Sequence, residues 1–334
     1  MLVKRRDFIT LLGGASALPL LSSRAAYAQR SGRTARIGLL VISATTPLTA
    51  AGLKVFFVQL AQLGFVEGRS LIVERRELGF GDDRKLYDDA AELVRAKVDA
   101  LVTFGSEHFI RAAVAATTTI PIVMLAINYD PIARGYVKSL ARPGGNITGV
   151  TFRQPELASK QIELLKEAFP SRTQLGVLYD AESADQFSAA QKAARSMQVE
   201  IDAVMMEKPP YEFEPVFRSL AERRTQMILM LSSGFFTPHR ARIAELAIRH
   251  RMPTMFIFKT YVEAGGLMSY GVDFAPAYGR IADYVAKILN GAKPADLPVE
   301  QVSTFDLAVN LKTAQAMGLE LPTSLLLRAN TVIE

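Results

Sequence analysis

The sequence predicts an α/β protein with two similar halves, each built on a parallel β-sheet between helices. Short apolar runs of strand length alternate with segments whose apolar residues recur at helical spacing, which is the pattern of βαβ units. A group of turn-forming residues at 141–146 interrupts this alternation, which then starts again. The 334 residues also exceed the length of one ordinary domain. Together these observations indicate two similar α/β halves.

In the first half, the predicted strands span residues 36–42, 71–75, 100–104 and 121–127. After a loop at 43–47, the apolar residues repeat every three or four positions, which predicts a helix with one apolar face. These residues are Leu53, Phe56, Phe57, Leu60 and Leu63. Asp82 and Asp83 cap a second predicted helix that extends to about Lys97. Gly105 and Ser106 lead into a third.

The second half repeats the alternation. Its predicted strands span residues 147–152, 174–179, 200–205, 227–231, 253–257, 267–270 and 305–309. Its predicted helices span residues 155–169, 183–197, 215–223, 276–290 and 311–317, and a further helix carries Ile243, Leu246, Ala247 and His250 on one face. The strand at 147–152 is expected to lead from one half to the other.

Composition and charge exclude several classes of protein. Hydrophobic residues make up 49% of the chain and charged residues 22%, which is typical of a globular protein with ample core. The formal net charge is +6, of which +3 lies in residues 1–28. No run of Lys and Arg follows, so a nucleic-acid interface is not predicted. The absence of cysteine excludes disulfides, thiolate metal sites and a cysteine nucleophile.

Residues 1–28 have the pattern of a signal peptide for export. A basic segment precedes an apolar run at 8–21, and Ala26-Tyr27-Ala28 has the small-residue pattern that predicts cleavage after Ala28. Arg5 and Arg6 resemble a twin-arginine motif, which leaves the twin-arginine and the general secretory routes both open. No second apolar run of about 20 residues follows, so the mature chain is expected in the periplasm without spanning the membrane.

No catalytic pattern is visible in the sequence. The chain contains neither a phosphate-binding G-x-x-x-x-G-K-[ST] loop nor a G-x-S-x-G nucleophile elbow, and Gly79-Phe80-Gly81 lacks the third glycine of a dinucleotide-binding motif. Its three histidines have no carboxylate at the spacing of metal ligands. We therefore predict no catalytic residue, no cofactor and no metal site, which favours binding over catalysis.

A ligand site is expected beyond the carboxyl ends of the strands, where open α/β sheets bind their ligands. The candidates at these ends are Ser43, Thr45, Gly105, Ser106, Glu107, Tyr129, Asp130, Tyr179, Asp180, Ser233, Phe235, Phe258, Lys259 and Tyr270. Gly105 and Ser106 suit a carboxylate because free N–H groups at a helix start attract anions, although Ser106 also fits simple helix capping. Asp130 or Glu107 could pair with an ammonium group or be solvated loop charges, and the aromatic residues could hold an apolar ligand or belong to the core.

Several stretches together resemble a known family. They lie at residues 63–69, 141–149, 242–247, 263–271, 291–298 and 310–314, and the signal segment is similar as well. The chain resembles the extracytoplasmic substrate-binding proteins of ABC transporters, in the group that includes tryptophan- and tyrosine-type binding proteins. The pair Glu107-His108 departs from the uncharged pair common in relatives after the glycine, which puts the identity of the ligand in doubt.

The resemblance implies a type I periplasmic binding fold, in which two Rossmann-like lobes joined by hinge strands close on a ligand. It implies an N-terminal lobe of residues 36–148 with 274–297 and a C-terminal lobe of residues 149–273 with 298–334. The expected partners are an ABC permease and its ATPase, and the chain itself is expected to be a monomer.

The expected function is a solute-binding receptor that captures a small carboxylate-bearing ligand, an amino acid or aromatic acid, and delivers it to the permease. A sensory binding protein that signals to a chemoreceptor or kinase is the alternative, and a periplasmic α/β enzyme is another. The repressors that share the bilobal fold are excluded because the signal segment stands where their DNA-binding domain would lie.

Overall fold

Two β-sheets organise the chain in the computed structural model, which describes residues 34–42, 47–78, 83–152, 154–207, 210–302 and 304–334. Residues 35–334 form one compact unit. The predicted signal peptide at 1–28 and the candidates Ser43 and Thr45 lie outside the described residues. None of the described helices combines the length and apolarity that crossing a membrane requires.

The first sheet contains six strands in the order β11-β5-β4-β3-β1-β2, and all its pairings are parallel. These strands are β1 (Ala35–Ile42), β2 (Leu71–Leu78), β3 (Ala100–Gly105), β4 (Ile122–Ala126), β5 (Ile147–Phe152) and β11 (Glu300–Val302). Every residue of β4 and β5 is buried, as expected for strands covered by helices on both faces of a parallel sheet.

The second sheet contains seven strands in the order β13-β12-β10-β9-β8-β6-β7. These strands are β6 (Gln174–Tyr179), β7 (Glu200–Met205), β8 (Met227–Met230), β9 (Thr254–Phe256), β10 (Met268–Val272), β12 (Phe305–Asn310) and β13 (Thr331–Ile333). The pairing of β10 with β12 is antiparallel and the other pairings are parallel.

Helices cover both sheets. On the first sheet these are α1 (Pro47–Gln62), α2 (Asp83–Arg95), α3 (Glu107–Ala116) and α9 (Phe274–Leu289). On the second they are α4 (Gln154–Ala168), α5 (Ala184–Ser196), α6 (Phe213–Glu222), α7 (Arg240–Arg249), α8 (Lys259–Glu263), α10 (Leu311–Met317) and α11 (Thr323–Leu326). We call each sheet with its helices the first lobe and the second lobe.

The chain passes between the lobes three times, after β5, after β10 and after β11. The second passage brings α9 back onto the first lobe, where it packs along α1 and Gln59 Nε2 donates a 2.8 Å hydrogen bond to Asp283 Oδ1. Gly52 of α1 makes this approach possible, because a Cβ there would lie 2.3 Å from the ring of Tyr278. The domain limits given above stay a prediction.

The predicted α/β class with two sheets is confirmed, and the differences from the predicted elements are small. Pro47, expected in a loop, begins α1, where a proline loses no helical hydrogen bond. The structure also contains α8, α11, β11 and β13, none of which was predicted. Each has three to five residues, too few to show a helical or strand period.

Candidate ligand-binding cleft

A cleft of about 640 Å³, partly open to solvent, lies between the lobes at the carboxyl ends of their strands. We call it the inner compartment. Its lining residues are Val41, Ile42, Thr49, Phe104, Gly105, Ser106, Ile127, Asn128, Glu182, Ser232, Gly234, Thr237, Phe258, Phe274 and Tyr278. The position is the one at which open parallel sheets bind ligands, because their strands end there and their loops diverge.

Aromatic rings form much of the inner compartment. Phe104, which is near the end of β3, stacks on Tyr278 of α9 with ring centroids 4.8 Å apart and planes 12° apart. Phe274 at the start of α9 contacts the ring of Phe258 at 5.1 Å. Burial raises the pKa of the Tyr278 hydroxyl, so this group stays protonated and the wall is neutral. An apolar ligand surface fits such a wall.

A second cleft of about 400 Å³, which we call the outer compartment, has a different character. It is lined by Ser106, Glu107, His108, Arg111, Asn128, Arg134, Ala181, Glu182, Ala184 and Asp185. Arg134 of the first lobe lies 3.1 Å from Glu107 of its own lobe and 2.8 Å from Asp185 of the second. The outer compartment is therefore charged and crossed by an interlobe ion pair.

Ser106, Asn128 and Glu182 line both compartments and form the junction between them. Ser106 Oγ donates a 2.9 Å hydrogen bond to Glu182 Oε1, which also lies 3.6 Å from His108 Nδ1. Asn128 Nδ2 donates a 2.8 Å hydrogen bond to the carbonyl of Ser232, while its Oδ1 is buried and accepts no hydrogen bond from any described residue. The junction thus joins the lobes by two hydrogen bonds.

Asp180 lies behind the lining residues of the second lobe and holds their loops by hydrogen bonds. Its carboxylate is 1% exposed and accepts hydrogen bonds from the Ser233 hydroxyl, the Tyr211 hydroxyl at 3.3 Å and the Glu182 N–H at 3.1 Å. Burial raises the pKa of Asp180, while its hydrogen bonds from Ser233 and Ser183 act in the opposite direction. The network fixes the loop that carries Glu182 to the loop that carries Ser232.

The structure brings some of the sequence-predicted site residues together. Gly105, Ser106 and Phe258 line the inner compartment, and Glu107 lines the outer one. Ser106 precedes α3, but its side chain makes no capping hydrogen bond to that helix, and its hydroxyl donates to Glu182. Asp180 and Ser233 lie directly behind the lining residues.

Other sequence-predicted site residues lie outside both linings. Tyr129 is buried against Tyr136, and Asp130 accepts backbone hydrogen bonds in its own loop. Tyr179 stacks on Phe187, Phe235 contacts Tyr211, Lys259 lies 3.9 Å from Asp306 and Tyr270 stacks on Phe305. The role of each residue in ligand binding stays a prediction.

Several lining residues were not predicted from the sequence. Asn128 lies two residues after the end of β4 and has a positive φ of 70°, an unusual conformation that asparagine tolerates better than most residues. Glu182 stands two residues beyond Asp180, and Tyr278 lies on a helix far along the chain. Strand-end position is a signal for Phe104 and Asn128, whereas nothing local in the sequence marks Tyr278.

Comparison with known proteins places the chain in a family. Residues 58–333 match the sequence model of the family described as ABC transporter substrate binding protein. The chain belongs to this family. It is 22% identical over 272 residues to a tyrosine-binding protein of Clostridioides difficile, which covers 80% of this chain and 76% of that protein. The relatives are substrate-binding proteins.

Two crystal structures show the same fold at 26% identity, each covering 90% of this chain and 100% of the other. A conserved domain protein from Vibrio cholerae O1 biovar El Tor superposes with a TM-score of 0.82. An ABC domain from Streptococcus pneumonia, solved in complex with L-Trp, superposes with a TM-score of 0.80. Membership of this family implies a small-molecule ligand and an ABC permease as partner.

Proposed function

We propose that this protein is the solute-binding receptor of an ABC import system and captures an amino acid or aromatic acid in the cleft between its lobes. The observation that carries the proposal is the inner compartment, an aromatic-walled cleft between two lobes in a chain that belongs to the substrate-binding family. Its aromatic wall suits a ligand with an apolar body.

The relatives support this class of ligand. One similar protein is described as tyrosine-binding, and one similar structure holds L-Trp. The lobes of this chain are joined across the cleft by hydrogen bonds from Ser106 and Asn128 and by the Arg134–Asp185 ion pair. A ligand that bridges the same surfaces would stabilise the closed form. We propose that the permease recognises this closed form and that the ATPase then drives import.

The proposed site of action is the periplasm, where the ligand is bound and released unchanged by a monomeric receptor. Export would use the signal segment at 1–28, with cleavage after Ala28 and with the twin-arginine route favoured by Arg5 and Arg6. Expression of the full-length chain, fractionation of the cells and sequencing of the new N-terminus test this part. A chain found uncleaved in the cytoplasm would contradict it.

Ligand binding is tested by thermal unfolding of the exported protein against amino acids, aromatic acids, purines and short peptides. A ligand present at about 100 times its dissociation constant adds roughly 2.7 kcal/mol to the free energy of unfolding. For a chain of this size we expect a rise of roughly several degrees in the midpoint. A saturable rise with recovery of the unaltered compound supports the receptor. Consumption of the compound would indicate an enzyme instead.

A further inference from the structure

We propose that the ligand carries a protonated amino group and that Glu182 and Asn128 hold this group at the junction between the two compartments. The inference rests on the proposed receptor function and narrows its ligand class. It favours amino acids, and other aromatic ligands with an amino group on a saturated carbon, over aromatic acids that lack an amino group.

The charge of the inner compartment is the first observation behind this inference. Among the described residues that line it, Glu182 alone carries a formal charge. The Glu182 side chain is only 8% exposed, so its charge is poorly screened by water. A ligand cation that enters the compartment therefore meets an opposite charge, whereas a ligand anion meets a like charge.

The hydrogen-bonding capacity of the junction points the same way. The Ser106 hydroxyl donates to Glu182, the Asn128 amide nitrogen donates to the Ser232 carbonyl, and the Ser232 N–H donates to Gln186 Oε1. What remains at the junction is an acceptor, the buried Oδ1 of Asn128. A buried acceptor without a partner is costly, and an ammonium group has three donors, so it can donate to Asn128 Oδ1 and to the Glu182 carboxylate together.

The predicted position for a ligand carboxylate is already taken. The sequence placed it at Ser106, at the start of α3, and in the structure the Glu182 carboxylate of the second lobe accepts the hydrogen bond from that hydroxyl. With its ammonium group at the junction and its apolar body inside, an amino acid would direct its carboxylate toward the outer compartment. The cations there are Arg111 and Arg134, of which Arg134 also pairs with Glu107 and Asp185. This arrangement accommodates both charges of an amino acid.

Glu182 also contributes to closure, and one substitution separates the two roles. In E182Q the amide oxygen can still accept the hydrogen bond from Ser106, whereas the negative charge is lost. A residue that only joins the lobes would tolerate this change. A residue that selects a cation would not. The matched control is E163Q, the same chemical change at an exposed position of α4 on the same lobe.

The experiment uses the full-length protein and pairs of ligands that differ only in the amino group. The pairs are L-tyrosine with 3-(4-hydroxyphenyl)propionate, L-tryptophan with indole-3-propionate and L-phenylalanine with 3-phenylpropionate. Titration calorimetry should show that at least one amino acid binds roughly 10-fold or more tightly than its partner. E182Q should abolish most of that preference while E163Q retains it, and thermal unfolding shows that both variants are folded.

The outcomes separate the two proposals. If an acid without an amino group binds as tightly as its amino acid, the receptor function stands and the ammonium inference is wrong. The inference is equally wrong if folded E182Q keeps the full preference. If no compound of these pairs or of the wider panel binds, the proposed receptor function fails, and the inference fails with it.

Discussion

The two walls of the cleft are built by different physical means. The first lobe, with its returning helix, supplies apolar side chains such as Phe104 and Ile127, which need no hydrogen-bond partners, together with the ring of Tyr278. The second lobe supplies Glu182 and Ser232 on loops that the buried Asp180 network holds in place. One wall therefore depends mainly on packing and the other mainly on satisfied polar groups, although the first also carries Ser106 and Asn128 and the second Phe258. Packing offers contact area to many ligands, whereas placed polar groups discriminate between them.

The largest expected effect comes from the apolar wall. F104A removes a ring that is 2% exposed and stacks on Tyr278, so the free energy of unfolding should fall by about 3–5 kcal/mol. Urea denaturation measures the loss. The matched control is F235A in the second lobe, whose ring is only partly buried, and we expect a clearly smaller loss there. Equal losses would show that the walls do not differ in their dependence on packing.

The polar wall is tested by two substitutions at Asp180. D180A leaves the Ser233 and Tyr211 hydroxyls without their buried acceptor, which should lower the free energy of unfolding by about 1–3 kcal/mol. D180N keeps an acceptor oxygen, so its loss should be smaller. Urea denaturation of both variants near neutral pH gives the comparison. If D180A is as stable as the native protein, the network does not hold this wall together.

The pH dependence of stability should distinguish the walls further, because Asp180 titrates and the aromatic wall does not. Burial raises the pKa of Asp180, so between its unfolded value of about 3.9 and its higher folded value the folded chain binds more protons. Across that window the Asp180 contribution to the free energy of unfolding falls as pH rises, and above the folded pKa it is constant. The stability of D180N relative to the native protein should therefore rise with pH.

Urea midpoints of D180N and the native protein, compared at several pH values from about 4 upward, check this sign. F104A is the control. It retains Asp180, so its difference from the native protein in free energy of unfolding should not change with pH through this carboxyl group. A difference between D180N and the native protein that stays constant, or that falls as pH rises, would contradict the raised pKa.

Most of the fold could be predicted from the sequence because its signals are local. The buried runs of β3 and β5 and the apolar face of α9 each show their period within one segment. The three-residue strands β11 and β13 carry no such period. They form because a neighbouring strand, β5 or β12, leaves an edge for them to pair with, which only the folded chain reveals.

The candidate cleft was less predictable, because strand-end position does not fix the direction of a side chain. Ser106 and Phe258 line the cleft, but Tyr129 and Tyr270 stand at similar ends and pack against Tyr136 and Phe305. Tyr278 reaches the cleft through the packing of α9 on α1, a contact between segments more than 200 residues apart. Such a residue carries no local signal in the sequence.

The smallest expected effect lies at the rim, where the two walls meet through Arg134 and Asp185. Both side chains are substantially exposed, at 43% and 52%, so water and salt screen their interaction. R134Q should change the free energy of unfolding by no more than about 1 kcal/mol, and the change should shrink further at high salt. Urea denaturation at low and high sodium chloride measures both. A larger loss that persists in salt would mean that the ion pair, rather than the aromatic wall and the Asp180 network, holds the lobes together.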